Sequence, residues 1–544
     1  MALARTHSVT LVGVQGHAVE IEADIENGLV ALLLVGLPDT ALREARDRIR
    51  AAIVNSREDW PQRRITVGLS PASLPKRGSS FDLGIAVSIL AAAGAVPADR
   101  LAGLMFLGEL GLDGRVRAVR GVLPSVAAVS SAGFGIVVVP AANAAEASLV
   151  PGVEVLAADS LAGVLDWLRS GCPPDGVPGA ARWTGADDPV GQAQPGGTSP
   201  ASGAKPASTR EATGAEEADS TRPPGGPDLS DVVGQPAARR AAELCAAGGH
   251  HLLLLGPPGA GKTMLAERLP TLLPRLDPAA ALEVSAIHSV AGALPADRPL
   301  LTDPPFCAPH HTATRAALVG GGSGVIRPGA ASLAHHGCLF LDEAPEFSRD
   351  TLDALRQPLE SGQVVIARSG MTAKFPARFT LVMAANPCPC ARATAGRVDC
   401  TCAPSARHRY MARLSGPLLD RVDVKVEFLP VSRAELLSDR GFTEPGCVVA
   451  ARVQAARERT AARLRGTPWR LNAEIPGREL RHRFAPQPGA LAPLERAMDL
   501  GEISARGAHR IIRLAWTAAD LRALSRPGAS EVSYALGLWL GTTS

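Results

Sequence analysis

The stretch Gly256-Pro257-Pro258-Gly259-Ala260-Gly261-Lys262-Thr263 follows an apolar run, 252–255, and precedes a helical pattern that begins at Met264. Its spacing matches the G-x-x-x-x-G-K-[ST] loop, whose glycines let backbone N–H groups converge on phosphate oxygens. The start of the following helix adds a favourable dipole for a bound anion. We expect Lys262 to reach the β- and γ-phosphates of a nucleotide, and the Thr263 hydroxyl to ligate Mg²⁺. This stretch therefore predicts a strand–loop–helix unit that binds a nucleoside triphosphate.

Two further apolar runs end in polar residues suited to the same chemistry. Residues 339–341 precede Asp342 and Glu343, and residues 379–384 lead to Asn386. Asp342 is a candidate magnesium ligand, Glu343 a candidate base for the attacking water, and Asn386 a candidate to orient that water. Taken alone, these residues could equally form solvated or strand-terminating turns. Strands alternating with helices favour a mostly parallel α/β sheet, and the three side chains would meet at its carboxyl edge.

Composition divides the chain into four segments. Residues 171–230 contain 21 glycines and prolines among 60 residues and few large apolar side chains. Such a segment cannot bury enough apolar surface to offset its ordering entropy, so we predict a flexible linker over 171–228. Before it, residues 1–170 show an α+β pattern. After it, we predict an α/β core over 229–435 and a helical, arginine-rich lid over 436–544.

The overall balance of charge and hydropathy excludes several classes of protein. The 544 residues carry a formal net charge of +3, which argues against a polybasic tail protein. The longest uncharged apolar run, 83–96, has 14 residues, whereas a membrane-spanning helix needs about 20. We find no signal-peptide pattern, and nine cysteines are too few for a disulfide scaffold. We therefore expect a cytoplasmic protein with reduced thiols and no membrane partner.

Longer motifs occur along nearly all of the chain outside the predicted linker. They are Val35-Gly36-Leu37-Pro38-Asp39, Leu69-Ser70-Pro71-Ala72, Phe81-Asp82-Leu83, Phe306-Cys307-Ala308-Pro309-His310-His311-Thr312, Leu318-Val319-Gly320-Gly321-Gly322-Ser323, Arg327-Pro328-Gly329, Ser332-Leu333-Ala334-His335, Ala385-Asn386-Pro387-Cys388-Pro389-Cys390 and Leu414-Ser415-Gly416-Pro417-Leu418-Leu419-Asp420-Arg421. Together with the phosphate loop, these motifs resemble the magnesium-chelatase-like AAA+ ATPases of the ComM/YifB family. The resemblance implies a P-loop core with a helical lid, preceded by a Lon-protease-like domain.

The resemblance also implies a function. It implies ATP and Mg²⁺ as cofactors, a homo-hexameric ring, and a motor that drives branch migration on DNA during natural transformation. A chelatase-like or protein-remodelling ATPase that does not act on DNA is one alternative. A regulatory module with a vestigial nucleotide site is another, although the intact phosphate loop and acidic pair argue against it.

The resemblance assigns roles to arginines outside the phosphate loop. Arg421 occupies the position of an arginine finger, which would reach the γ-phosphate of ATP bound to the neighbouring subunit. The alternative is a surface arginine paired with Asp420 or Asp423. A sensor arginine is expected on the lid, where Arg506 is preferred and Arg510 is the alternate.

The N-terminal segment raises the question of peptidase activity. Residues 75–80 resemble the nucleophile segment of Lon proteases, which would put Ser80 at the nucleophile position. A serine nucleophile needs a base within hydrogen-bond reach. The partner lysine is expected near Ser125, but no lysine occurs between Val116 and Ala204. We therefore expect no peptidase activity, and the serine-rich turn also suits a helix N-cap.

Four of the nine cysteines fall within 15 residues. They are Cys388, Cys390, Cys400 and Cys402. Four thiolates could bind one Zn²⁺ tetrahedrally, although the usual spacing is C-x₂-C rather than the C-x-C found here. The alternative is a loop with four unliganded thiols.

Local charge supports nucleic-acid binding better than the overall charge does. Residues 356–425 hold 11 Lys and Arg against 4 Asp and Glu. A β-hairpin is predicted over 364–379, at the place where related helicases carry a DNA-facing hairpin. Its Arg368 and Lys374 could contact phosphates of single-stranded or branched DNA without sequence specificity. A solvated basic face or a subunit interface would account for the same charge.

Overall fold

A computed structural model describes residues 2–36, 40–74, 76, 78–171, 226–322, 326–368, 371–390, 400, 402–429 and 444–542. Nearly all of the predicted linker lies outside these ranges. Within them, the chain forms two parts that each contain a sheet, followed by a helical C-terminal part. None of the helices described is long and apolar enough to cross a membrane.

The N-terminal part alternates strands and helices. Its strands are β1 (Ala2–Val12), β2 (Gln15–Glu26), β3 (Ala31–Val35), β4 (Arg64–Ser70), β5 (Leu104–Phe106), β6 (Glu109–Leu110), β7 (Val116–Arg117), β8 (Ile136–Pro140) and β9 (Glu154–Ala158). Its helices are α1 (Thr40–Asn55), α2 (Asp82–Ala92), α3 (Val122–Ser131), α4 (Ala144–Ala147) and α5 (Leu161–Ser170). A mixed sheet joins seven strands in the order β3-β4-β2-β1-β5-β8-β9, and β6 pairs with β7. Helix α2 is mostly apolar and wholly buried, and its first residue, Asp82, is paired with Arg48.

The second part carries the phosphate loop. Its strands are β10 (Leu252–Leu255), β11 (Phe306–Cys307), β12 (Cys338–Leu341), β13 (Gln363–Arg368), β14 (Met371–Pro376), β15 (Thr380–Ala385) and β16 (Val424–Glu427). Its helices are α6 (Pro236–Gly248), α7 (Lys262–Leu272), α8 (Pro278–Ala291), α9 (Arg315–Val319), α10 (Ala330–Leu333), α11 (Arg349–Asp353), α12 (Arg356–Ser361), α13 (Pro404–Met411) and α14 (Gly416–Leu419). The predicted strands correspond to β10, β12 and β15.

The sheet of this part is parallel throughout, in the order β11-β12-β15-β10-β16. Leu255 lies beside Ala385, and Leu341 lies beside Met383, so β10, β12 and β15 end at the same edge. Val424, the first residue of β16, lies beside Leu252 at the opposite, amino edge. These observations confirm the predicted α/β fold with a parallel sheet. Strands β13 and β14 form the predicted hairpin, which is separate from this sheet.

The C-terminal part is helical. Its helices are α15 (Gly446–Arg463), α16 (Gly477–Arg481), α17 (Ala492–Asp499), α18 (Ala505–Leu521) and α19 (Ala529–Leu540). Its interior contains the buried carboxylate of Asp520, which accepts hydrogen bonds from Arg463, Thr460 and Asn472. Three partners on two segments satisfy this charge, so it is compatible with burial.

The N-terminal part packs on the core at two places. At the first, the Gly121 amide at the start of α3 donates to the Ser289 carbonyl of α8. At the second, the β1–β2 turn lies on β14, where a Cβ at Gly13 would come within 2.6 Å of the Lys374 carbonyl oxygen. Next to that contact, Val14 packs against Ala373 and Phe375 of the hairpin. The N-terminal part therefore packs against the face of the hairpin that carries Ala373 and Phe375.

The serines relevant to peptidase activity make local contacts. The Ser125 hydroxyl donates to the Gly121 carbonyl at 2.7 Å, and the Ser80 carbonyl accepts from the Gly108 amide. The buried Lys76 ammonium donates to the Pro71 carbonyl. The resemblance of this domain to Lon proteases and the absence of peptidase activity both stay predictions.

Candidate functional site

The Lys262 ammonium is the centre of the phosphate loop. Gly261, with φ of +95°, forms the turn that starts α7, and Lys262 is the first residue of that helix. The lysine side chain folds back over the loop and donates to the Gly256 and Pro257 carbonyls at 2.7 and 2.8 Å. It also donates to the Asn386 side-chain oxygen at 3.1 Å. The phosphate loop and the end of β15 are therefore joined directly by a hydrogen bond that the sequence did not predict.

The electrostatics of Lys262 favour an anionic ligand. The residue is only 7% exposed, and burial lowers the pKa of its ammonium below the ordinary value. The nearby carboxylates of Asp342 and Glu343 act in the opposite direction and favour the charged form. Its present partners are neutral oxygens, which a phosphate oxygen could replace with a charge-assisted contact.

The acidic pair lies at the end of β12, across from the loop. The Thr263 hydroxyl donates to Asp342 at 2.8 Å, so the two predicted magnesium ligands are in contact. Glu343 adopts φ of +49°, a left-handed conformation that residues with a Cβ rarely take up. Its amide donates to the Asp342 carboxylate at 2.9 Å. A cavity of about 340 Å³ lies between the loop, the acidic pair and Asn386.

The structure adds His311, to which the sequence analysis gave no role. This residue follows β11, and its Nδ1 lies 3.4 Å from the Glu343 carboxylate. The neighbouring His310 instead contacts the Thr312 hydroxyl at 2.8 Å. The sequence position of His311 could have predicted this contact. His311 follows β11, which is parallel to β12, so it lies near the same carboxyl edge of the sheet as Glu343.

Arg421 lies away from this cavity, at the amino edge of the sheet just before β16. Its side chain is 10% exposed, donates to the Pro417 carbonyl, and pairs with Glu360 of α12. The suggested alternative pairing with Asp420 or Asp423 was wrong. Those two carboxylates pair with arginines of α18 instead.

The two candidate sensor arginines differ in how they are held. The Arg506 side chain is 68% exposed, and its Nη1 lies 3.2 Å from the carboxylate of Asp420, the residue just before Arg421. Arg510 is 17% exposed, pairs with Asp423 at 2.6 Å and donates to the Arg421 carbonyl at 3.0 Å. Arg510 is thus part of an internal ion pair, whereas Arg506 forms an exposed ion pair with Asp420.

Asp423 anchors the lid to the core through a buried charge network. Burial alone would raise the pKa of this carboxyl group. The His250 ring, whose Nδ1 lies 3.6 Å from the carboxylate, and the charge of Arg510 outweigh that effect and hold the pKa well below its ordinary value. The carboxylate therefore stays ionised, and it joins β10, β16 and α18 near Arg421.

The four clustered cysteines come together in space. Cys388 Sγ lies 3.2 Å from Cys390 Sγ and 3.3 Å from Cys400 Sγ, and the four sulfur atoms lie within 4.8 Å of one another. Zn–S bonds of about 2.3 Å place tetrahedral sulfur ligands about 3.8 Å apart. Burial, together with the neighbouring thiols, raises the pKa of Cys388 to about 12. This donor set fits zinc, which would stabilise the thiolate forms.

A second cluster, Glu283, His335 and His336, has the composition but not the chemistry of a metal site. His335 Nδ1 accepts a hydrogen bond from the Arg378 amide at 2.9 Å. In a neutral ring, the proton must then be on Nε2, the atom that faces Glu283 at 3.2 Å. A protonated nitrogen cannot ligate a metal, so we read this cluster as a histidine–carboxylate contact.

The hairpin exposes both predicted DNA-contacting residues. Arg368 lies beside the turn, and Lys374 lies on β14 opposite Val365. Ala373 and Phe375 face the opposite way and are buried. The hairpin therefore presents charge on one side while its other side is anchored.

Comparison with known proteins is consistent with this geometry. Three family models match: "Magnesium chelatase, subunit ChlI" over 228–436, "Subunit ChlI of Mg-chelatase" over 21–143, and "Magnesium chelatase, subunit ChlI C-terminal" over 443–538. The chain is 38% identical to competence protein ComM of Haemophilus influenzae, with 99% of this chain and 97% of that protein aligned.

Other relatives align equally fully. The Escherichia coli protein YifB is 38% identical, with 96% of this chain and 94% of YifB aligned. An uncharacterized Mycobacterium tuberculosis protein is 49% identical over 98% of both chains. The chain belongs to the ComM/YifB family of magnesium-chelatase-like AAA+ ATPases, as the sequence motifs predicted.

The contact between His311 and Glu343 yields a first test. Replacing His311 by alanine should lower the kcat for ATP hydrolysis about tenfold, because the Glu343 carboxylate loses the group that orients it, while KM for ATP changes little. Steady-state ATPase assays measure both constants. His310→Ala is the matched control and should keep kcat within about twofold. Equal losses in both variants, or full activity in His311→Ala, would contradict this role.

Proposed function

We propose that this chain is one subunit of a ring-shaped motor that hydrolyses MgATP and moves along DNA, in branch migration or strand unwinding. The observation that carries the proposal is the separation of Arg421 from the phosphate loop of its own chain, with the exposed basic hairpin close by. A competence role comes from the name of the ComM relative. Such a motor would work in the cytoplasm, where ATP and DNA are both present.

The hydrolytic step follows from the cavity residues. Lys262 exchanges its carbonyl partners for the β- and γ-phosphate oxygens, and the loop amides bind the remaining oxygens. Thr263 and Asp342 would hold Mg²⁺, which offsets phosphate charge when bound. Glu343 accepts a proton from the attacking water, while Asn386 orients that water. His311 keeps the Glu343 carboxylate turned toward the cavity.

The parallel register supports the proposed ring. Strand β10 alone separates the two sheet edges by about 10 Å, at roughly 3.3 Å per residue. Arg421 therefore cannot serve ATP in its own loop without refolding, but it can serve ATP in the loop of a neighbouring copy. Arg506, held beside it by Asp420, would approach the same neighbouring phosphate. A head-to-tail contact of this kind generates a closed ring when the rotation closes, and we propose a hexamer.

The hairpin supports DNA as the substrate. Two exposed basic side chains on an anchored ribbon suit phosphate contacts, which carry no sequence information. A chelatase-like or protein-remodelling ATPase is the second candidate, since all three matching family models carry the name of magnesium chelatase. Stimulation by DNA distinguishes the two functions.

We further propose that the four clustered cysteines bind one structural Zn²⁺. The cluster follows Asn386 directly, so the metal would hold the chain just beyond the water-orienting residue. It would take no part in the chemistry, because four thiolates leave no open coordination position.

The DNA function is tested by ATPase rates without DNA and with single-stranded, duplex or four-way branched DNA at fixed salt. We expect single-stranded or branched DNA to raise the rate. The double variant Arg368→Ala/Lys374→Ala should weaken DNA binding about tenfold and reduce the slope of log K against log salt by about 2. The exposed pair Arg496→Ala/Arg526→Ala is the control. A wild-type rate that no DNA changes would favour the second candidate function.

The trans role of Arg421 is tested by mixing two inactive variants. Arg421→Ala subunits keep an intact loop, and Lys262→Ala subunits keep an intact finger. In an equal mixture, about a quarter of the interfaces should combine both and restore ATP hydrolysis. Mixing either variant with Lys262→Ala/Arg421→Ala should restore nothing, because no interface then combines an intact loop with an intact finger. A mixture that stays inactive at every ratio would contradict a finger acting in trans.

Zinc binding is tested by elemental analysis of the purified chain. We expect about one zinc per chain, and loss of that zinc with a lower Tm in Cys388→Ser/Cys402→Ser. Cys447→Ser, which changes an exposed cysteine outside the cluster, should keep the metal. A zinc-free wild type purified from zinc-supplemented medium would refute the site.

A further inference from the structure

The contacts of Arg421 point to a residue that controls it. The guanidinium pairs with the Glu360 carboxylate, whose side chain is 61% exposed. The Nε atom of Arg421 is buried and lacks a hydrogen-bond partner among the described residues. The present position of Arg421 is thus only partly satisfied, and an ion pair with so exposed a partner exchanges readily.

Helix α12 contacts the Arg421 segment at two points one turn apart. Glu360 reaches Arg421 itself, while Arg356 Nη2 lies 3.1 Å from the Ser415 hydroxyl. Ser415 is the N-cap of α14, the short helix that leads to Arg421. Positions 356 and 360 share a face of the helix, so α12 lies along this segment and holds both of its ends.

The C-terminal end of α12 is fixed to the hairpin. Gly362 ends the helix with φ of +67°, and its carbonyl accepts from the Ala377 amide, just after β14, at 2.8 Å. The Ser361 hydroxyl lies 2.9 Å from the carbonyl oxygens of Gln357 and Gln363, one on each side of the junction, and can donate to either. A displacement of the hairpin would therefore move α12 as well.

We propose that Glu360 is a positioning residue that withholds Arg421 from the neighbouring ATP until the hairpin engages DNA. The proposal rests on the proposed function, in which Arg421 acts in trans and the hairpin binds DNA. When DNA displaces the hairpin together with the β1–β2 turn packed on it, α12 moves, Glu360 separates from Arg421, and the guanidinium becomes available to the γ-phosphate. Glu360 thereby links the presence of DNA to turnover at the adjacent subunit.

The test compares Glu360→Gln with wild type in ATPase assays. Without DNA, the kcat of the variant should be about two- to fivefold higher, the population shift expected for loss of one exposed ion pair, while KM for ATP stays the same. With saturating single-stranded DNA, the two proteins should reach the same rate. Glu360→Asp, which keeps the charge, should restore part of the low basal rate. Glu22→Gln, which removes an exposed carboxylate paired with Arg5 at 2.7 Å, should leave both rates unchanged.

If Glu360 acts through Arg421, the higher DNA-free kcat of Glu360→Gln should disappear when Arg421 is also replaced by alanine. A rise that persists there, or a basal rate of Glu360→Gln equal to or below that of wild type, would overturn the proposal. Subunit mixing separates the two levels of inference. Recovery on mixing with no rise in Glu360→Gln rejects only the role of Glu360, whereas no recovery rejects the trans finger itself. Absence of DNA stimulation in wild type rejects the DNA motor.

Discussion

The parallel register of the core sheet is the constraint on which the site depends. Because β10, β12 and β15 run the same way and end together, the phosphate loop, the acidic pair and Asn386 share one edge. Because β16 runs the same way too, the residue just before it must lie at the other edge. One arrangement of strands thus places the residues proposed for hydrolysis together and keeps the proposed arginine finger at a distance. In the proposed function, a single chain holds two incomplete halves of the site.

Buried charge joins these halves to the rest of the molecule. At the carboxyl edge, Lys262 is held by neutral oxygens and balanced by nearby carboxylates. At the amino edge, the ionised Asp423 accepts hydrogen bonds from Arg510 and from the His251 amide, which fixes the lid against the sheet. Removing either partner of such a pair would leave an uncompensated charge in the interior. The lid therefore contributes to the placement of Arg421 even though it lies over 80 residues further along the chain.

The sequence was informative where chemistry is local. The loop, the strands before it and after it, and the hairpin follow from short patterns, and the rule that parallel strands end together brought Asp342 and Asn386 to Lys262. Contacts between distant segments could not be read in the same way. Asp420 and Asp423 are neighbours of Arg421 in sequence, yet both form ion pairs with arginines of α18. Arg421 pairs with Glu360 instead. His311 escaped notice because its partner, Glu343, lies on another strand.

The small turn between β1 and β2 has a consequence for how the chain can be divided. Val14 covers Ala373 and Phe375, and Gly13 allows the two backbones to approach closely. A fragment that began after the linker would keep every residue of the nucleotide cavity but would expose an apolar patch on the back of its hairpin. Such a patch is a site of self-association. The N-terminal domain thus acts as a built-in cover for a surface that the ATPase core alone would present to solvent.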